Sequence, residues 1–491
     1  MNTQPANTFV KHRPTYFLLS FLVVLIYGVA QIVFGEKIPV SNGLGWDGAI
    51  YGAIAKDFEQ LLTTHGLSWY YIQRSLPSGI IHYTLRALGL PLQDTFIIRA
   101  FEIYNLALLL LAVIIWGLIA KELRIKDRTT WLGFLLVFGN FAIARSNFYY
   151  PVLTDTTAFF LGILLAYCFL KQQQLVVLLI CVIGSFVWLP FFVFGAILFI
   201  FPFAPLAGKP ARLKLDFILA VMACIVFGVL SIYFLVWDQV NTPYAVLFRQ
   251  HIQYQWIAVT LALNLACVFI VSRHLLNNDG LFNLSSLLTR KTLGRLTLIA
   301  LSFVVLQASV YALADQNASP PITTSDLVRT SILSSAAMPL TSPLSHILYA
   351  GPLILLVALA FRDFSREIHR LGIGTTFFVA LYLFLMINSQ SRLAIQSLPF
   401  FAIGVVKVFD DFEWTPPDFL TIGTLAFILS KIWLPLTHYG SDGIYDSGYY
   451  LSYGPWMSPR QYLVQGIVVV IFALCIYWRF RPHLKQITPL A

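Results

Sequence analysis

The strongest constraint on the fold is a series of apolar runs, each about 15 to 20 residues long, that recur from Tyr16 to Trp478. Short polar connections separate the runs. A helix of about 20 apolar residues is long enough to cross the hydrocarbon core of a bilayer. Hydrophobic residues make up 58% of the chain and charged residues only 11%, which excludes an ordinary soluble protein of 491 residues. The sequence therefore predicts an all-α polytopic membrane protein.

Counting the runs predicts about 14 transmembrane helices in a single polytopic membrane domain, residues 14–491. Lys11 and Arg13 precede the first run, so the positive-inside rule places the N-terminus in the cytoplasm. With this orientation, 21 of the 32 lysine and arginine residues lie on the cytoplasmic side and 11 outside. The net charge of +10 is thus a topology signal, and no nucleic-acid partner is expected.

The five cysteines all lie inside apolar runs, without CxxC or Cys/His spacing. This pattern favours core packing over a disulfide or a zinc site. No cofactor is evident from the sequence, although a divalent metal is not excluded.

The longest polar segment follows the first run and is predicted as an outer loop over 34–100. Apolar residues at helical spacing after Asp47 predict horizontal helices in this loop, lying along the membrane surface. Within it, Asp47 stands between Gly45 and Gly48, beside Trp46 and one helical turn before Tyr51. Glycine permits close approach of a ligand to the backbone. This pattern indicates a binding or catalytic carboxylate, and its alternative is a plain helix N-cap.

Two later outer loops carry further polar residues. The first, RSNFYYPVLTD, places Arg145, Tyr150 and Asp155 within about ten residues, and its alternative interpretation is helix capping by Thr154 or Asp155. The second contains Arg392 on the outer side, against the positive-inside trend. A guanidinium group there is suited to hold an anionic phosphate. A structural ion pair or a snorkelling arginine is the alternative.

Together, GWDGAIY, YYPVLTD and SRLAIQSLP resemble, in their order along the chain, the GT-C superfamily of membrane glycosyltransferases that use polyprenyl-phosphate sugars. Two features depart from that pattern: the early acid is a lone Asp47, and no large C-terminal soluble domain is present. The resemblance implies Asp47 as catalytic base and Arg392 as ligand of the lipid phosphate. Trp46, Tyr51, Arg145, Tyr150 and Asp155 are the further candidate substrate-binding residues.

The sequence thus predicts a glycosyltransferase that moves a sugar from a polyprenyl-phosphate donor to a glycan, lipid or protein acceptor. Its site would face outward, and the expected location is a bacterial inner (plasma) membrane. Two alternatives stay open. A lipid-linked polysaccharide polymerase or ligase would concentrate its polar residues in a late outer loop such as 440–462. A multi-span transporter would carry ionisable residues deep inside its spans.

Overall fold

The computed structural model describes residues 13–188, 190–206, 215–238, 240–278, 281, 289–318 and 323–487. Within these ranges the chain forms helices and no β-strand, so the predicted all-α class is confirmed. Helices α1 to α9 are Arg13–Phe34, Trp46–Lys56, Phe58–Thr63, Trp69–Ile72, Leu76–Ala87, Asp94–Glu122, Asp127–Phe138, Asn147–Tyr149 and Asp155–Leu170. Helices α10 to α16 are Gln174–Gly184, Pro190–Ile200, Leu215–Ile232, Pro243–Gln250, Ile257–Leu275, Arg290–Leu313 and Thr324–Ser335. Helices α17 to α23 are Thr341–Ala350, Pro352–Leu359, Phe361–Arg370, Ile373–Leu385, Leu398–Val408, Pro416–Ser430 and Pro459–Ile487.

Seven helical segments among the described residues are long and apolar enough to cross a membrane, half of the predicted number. They are Tyr16–Phe34, Asp94–Glu122, Leu215–Trp237, Tyr254–Leu275, Arg290–Leu313, Ser391–Val408 and Pro459–Phe480. Every other predicted run is also helical, but its helices are shorter. An 11-residue helix such as α10 extends only about 16 Å at 1.5 Å per residue.

Local breaks in the backbone account for part of this difference. The run from His346 to Phe361 is divided at Gly351, whose φ of +67° ends α17 before Pro352 begins α18. The run that contains Arg392 reaches spanning length only because the 3₁₀ helix Ser391–Ser397 continues into the α-helix that begins at Leu398. Periodicity predicts an apolar helix in such runs but does not predict where its axis breaks.

The predicted first outer loop, 34–100, is also shorter in the structure at its C-terminal end. Helix α6 begins at Asp94, because a polar first turn precedes its apolar part. Between α1 and α6 lie four short helices, α2 to α5. Helix α2 packs against α5 and α6, so this segment is folded onto the helical bundle.

Segments that are far apart in the chain contact each other in two places. The acidic segment at 410–414 pairs with basic residues at the start of α7. Lys126 Nζ lies 2.9 Å from Asp411, and Arg128 donates to the carbonyl of Trp414 at 2.6 Å. At the other end, the backbone N–H of Leu436 donates to Glu36 at 2.8 Å. Both sets of contacts join segments that are far apart in the chain, and the predicted alternation of loops across the membrane stays a prediction.

Helices α9 and α21 lie at the centre of the bundle with mostly buried residues, and α9 packs against α6, α21 and the 3₁₀ turn Ser391–Ser397. At the periphery, α15 exposes apolar side chains such as Val304 (63%) and Val305 (65%). A continuous apolar exterior is unfavourable in water and suits lipid contact. The turn that carries Arg392 is therefore held against the most buried part of the fold.

Labelling of single cysteines tests the predicted orientation. Ser41 and Lys121 are both exposed. Ser41 lies between α1 and α2, in the predicted first outer loop, and Lys121 lies near the C-terminal end of α6. In a cysteine-free background, we expect a membrane-impermeant maleimide added outside intact cells to label Ser41→Cys and to leave Lys121→Cys unlabelled until the membrane is opened. Labelling of both from the same side would refute the topology.

Candidate active site

Two glycines allow the N-terminus of α2 to dock against the loop before α9. Gly45 has a φ of +80°, and a β-carbon there would lie 2.3 Å from the ring of Tyr150. A β-carbon on Gly48 would lie 2.7 Å from the carbonyl oxygen of Val152. The space is too small for any side chain, so the GWDG sequence is explained by this close approach. The backbone N–H of Gly48 also donates to the hydroxyl oxygen of Tyr150 at 2.9 Å.

Substitution of Gly45 by alanine tests this docking. We expect Gly45→Ala to lower the thermal unfolding midpoint, because it combines backbone strain with a clash against Tyr150. Gly89 is the matched control, since its φ is +66° but no atom lies within 4 Å of a β-carbon built there. Gly89→Ala carries only the backbone cost, about 1 kcal/mol. Equal unfolding midpoints for the two variants would contradict the docking role.

Asp47 and Arg392, 345 residues apart in sequence, form an ion pair between Oδ2 and Nη2. Asp47 lies in the first turn of α2, whereas the N-cap position is held by Gly45. Its carboxylate therefore contacts a distant arginine instead of serving as the N-cap. The side chains are 35% and 29% exposed, so a ligand can reach both.

The pKa of Asp47 reflects this environment. Burial raises the pKa of the carboxyl group, but the charge and hydrogen bond of Arg392, followed by the charge of Arg74, more than offset it. The net pKa of Asp47 lies below its usual value. Asp47 is thus partly exposed while its pKa is set by nearby charges, which is a setting expected for a reacting group.

Asp155 belongs to the same group of charges. It is the first residue of α9, and its carboxylate accepts a hydrogen bond from the hydroxyl of Tyr349 in α17. Arg392 and Arg74 are both close enough to Asp155 to attract it electrostatically. The structure therefore brings together Asp47, Asp155 and Arg392 from three segments that are far apart in the chain.

Aromatic rings cover one side of this group. Trp46 stacks on Tyr450 at a centroid distance of 6.3 Å and lies edge-on to Tyr150 at 6.2 Å. Tyr450 comes from the loop before α23, and Tyr51 lies buried on α2. Trp46 is 41% exposed, so it is the ring of this set that a sugar can reach.

Arg145, a predicted substrate-binding residue, has protein partners of its own. Its guanidinium group donates to Glu36 at 2.7 Å and to Gln31 at 2.9 Å, and only 5% of the side chain is exposed. This ion pair joins the end of α1 to the turn before α8. Neither Asp47 nor Asp155 is among the hydrogen-bonded partners of Arg145. A structural role accounts for the contacts that Arg145 makes.

The site residues predicted from the sequence did not include Arg74, Tyr349 or Tyr450. Arg74 donates to the hydroxyl of Tyr51 at 3.3 Å, beside the helix that carries Asp47. Its position against the positive-inside trend is the same signal that pointed to Arg392. The two tyrosines carry no comparable signal, because aromatic residues are common wherever a chain meets the membrane interface.

Within the described ranges, no group of three His, Cys, Asp or Glu residues is placed to hold a metal ion. Comparison of the chain with family models, with curated proteins and with solved structures gave no match, so the geometry of the site is what bears on its function.

Proposed function

We propose that the protein is a membrane glycosyltransferase that moves a sugar from a polyprenyl-phosphate donor to an acceptor hydroxyl on the outer face of the membrane. The observation that carries this proposal is the pairing of Asp47 with Arg392. A carboxylate that can take a proton and a cation that can hold a phosphate are the two groups that this transfer needs. The order of motifs shared with the GT-C superfamily supports the same reaction.

In the proposed reaction, Asp47 takes the proton of the acceptor hydroxyl while the hydroxyl oxygen attacks the anomeric carbon of the sugar. The bond between that carbon and the phosphate oxygen breaks, and the electron pair leaves with the lipid phosphate. Arg392 stabilises the charge that develops on the phosphate. Proton, sugar and leaving group are all accounted for without a further reactant.

The ion pair between Asp47 and Arg392 affects the proton affinity of the proposed base. While Arg392 pairs with Asp47, the carboxylate is a weak base, because its pKa lies below its usual value. A donor phosphate competes for the guanidinium group and weakens its bond to Asp47. Binding of the donor would therefore raise the proton affinity of the base just when an acceptor can use it.

Reconstituted protein and labelled donors test the proposal directly. We expect purified protein to transfer a radiolabelled monosaccharide from a polyprenyl monophosphate to an acceptor extracted from the same membrane. A donor that lacks the phosphate should be inert. Absence of transfer with every polyprenyl-monophosphate sugar would refute the proposed function.

A lipid-linked polysaccharide polymerase or ligase is the second candidate, and one contact favours it. Tyr450, from the late outer loop, stacks on Trp46 beside Asp47. Late-loop residues at the site are expected of such an enzyme. Transfer from a polyprenyl diphosphate carrying an oligosaccharide, without transfer from the monophosphate, would select this alternative. Movement of a substrate across the membrane without transfer of a sugar would identify the protein as a transporter.

The proposal also includes the full topology. The seven shorter predicted spans would cross as helices joined to adjacent turns, giving about 14 crossings. The site would face the periplasm of a bacterium, where the polar loops at the Asp47 end meet.

A further inference from the structure

We propose that Arg74 is a second anion-binding residue of this site and donates through its guanidinium group to the same donor phosphate as Arg392. The inference rests on the proposed function for the identity of the anion. Arg74 follows α4 and is only 8% exposed. Removing a guanidinium group from water is costly unless a partner replaces the lost hydration.

The partners that the structure provides are too few. A guanidinium group has five N–H donors, and Arg74 makes one hydrogen bond, from Nη1 to the hydroxyl of Tyr51 at 3.3 Å. In the part of the chain that the structure describes, no carboxylate lies within ion-pair distance of it. Some buried polar atoms of this chain are fully enclosed and have no hydrogen-bond partner, but no nitrogen of the Arg74 side chain is one of them. Its remaining donors therefore face accessible space.

Two aromatic rings hold the cation in place. The guanidinium carbon lies 4.2 Å from the ring centroid of Tyr70 and 4.5 Å from that of Trp188. Rings packed against a planar guanidinium group leave its edge, where the N–H groups point, free for a ligand. Trp188 comes from the loop between α10 and α11, which is joined to α5 by the bond from the N–H of Leu76 to the carbonyl of Phe186 (3.1 Å). Two separate segments thus fix the orientation of Arg74.

The charge of Arg74 acts within the site already described. The guanidinium groups of Arg74 and Arg392 both attract the carboxylates of Asp47 and Asp155. A phosphodiester has two non-bridging oxygens, and each can accept hydrogen bonds from one guanidinium group. Arg74 and Arg392 together would hold the phosphate from two directions.

Arg86 shows what a structural arginine of the same segment looks like. It pairs with Glu59 at 2.5 Å, and both side chains are about half exposed, at 52% and 50%. Arg74 is the reverse case, because it is buried, has no carboxylate partner of this kind and is clamped by aromatic rings. Arg86→Gln therefore serves as the matched control.

The test is calorimetric binding of farnesyl monophosphate, farnesol and inorganic phosphate to the purified full chain. We expect Arg74→Gln to weaken farnesyl phosphate binding about tenfold or more, the effect of losing hydrogen bonds to a charged group. Arg86→Gln should bind like the wild type, and farnesol should bind equally to all variants. If inorganic phosphate competes with farnesyl monophosphate for the wild type, the site recognises the phosphate alone. If it does not compete, binding also requires the lipid tail.

Equal affinity of Arg74→Gln and the wild type for farnesyl phosphate would overturn the inference, and so would wild-type binding no tighter than that of farnesol. If Arg74→Gln does not fold, Arg74→Lys decides, because lysine keeps the charge between the rings but lacks the planar fork. Wild-type affinity in that variant would also overturn it. Arg74-dependent binding in a protein that transfers no sugar would refute the proposed function and leave the anion site standing.

Discussion

Asp47→Asn is expected to express, assemble in the membrane and bind donor, but to transfer sugar about 10²-fold more slowly or worse, because asparagine cannot take a proton from the acceptor. Asparagine has nearly the same size as aspartate, so the docking of α2 on Tyr150 should be kept. The lost ion pair with Arg392 is partly exposed, and its loss should cost about 1 kcal/mol or less of stability. The measurement is single-turnover transfer from a labelled polyprenyl-phosphate donor.

Asp57→Asn is the control for this variant. Asp57 is exposed in the same outer segment, between α2 and α3, and has no ion pair among the described contacts. We expect it to transfer sugar at the wild-type rate. Near-normal turnover in Asp47→Asn would remove Asp47 from the mechanism. If Asp155→Asn lost activity in the same experiment, the role of base would pass to Asp155.

The fold was predictable wherever local pattern determines it. Each apolar run is helical in the structure, because a 3.6-residue backbone repeat satisfies the peptide groups of an apolar segment without outside partners. The lengths of the helices were less predictable. Gly351 ends a helix through a positive φ, and the run that contains Arg392 begins as a 3₁₀ helix. Neither feature changes the hydropathy of its run.

The sequence pointed to three charged residues that lie together in the structure, but it did not predict which partner each of them contacts. Asp47, Asp155 and Arg392 were each marked by an unusual charge at a loop, and they lie together in the structure. Arg145 carried the same mark and pairs with Glu36 instead. A single sequence contains no signal that distinguishes a structural partner from a ligand when the partner is distant in the chain. The role of Gly45 likewise required the position of Tyr150.

Arg392→Gln is expected to raise the apparent KM for the donor about tenfold or more, since it removes the hydrogen bonds to the phosphate. It should also lower kcat, because the leaving phosphate loses a cation that stabilises its charge. Arg460 is an exposed arginine in the first turn of α23, so Arg460→Gln is the matched control and should change neither constant. An Arg392→Gln protein that fails to assemble, or that assembles with an unchanged donor KM, would instead favour a structural ion pair.

The pH dependence of the same variant distinguishes the two roles further. In the wild type, Arg392 helps to hold the pKa of Asp47 below its usual value, so the base stays ionised as the pH falls toward that lowered pKa. Burial remains when Arg392 is removed, and burial raises the pKa of Asp47. The acid limb of kcat/KM, which reports the free enzyme, should therefore move to higher pH in Arg392→Gln. An acid limb at the wild-type pH would mean that the group titrating there is not Asp47, because no other change in its surroundings would compensate for the missing charge.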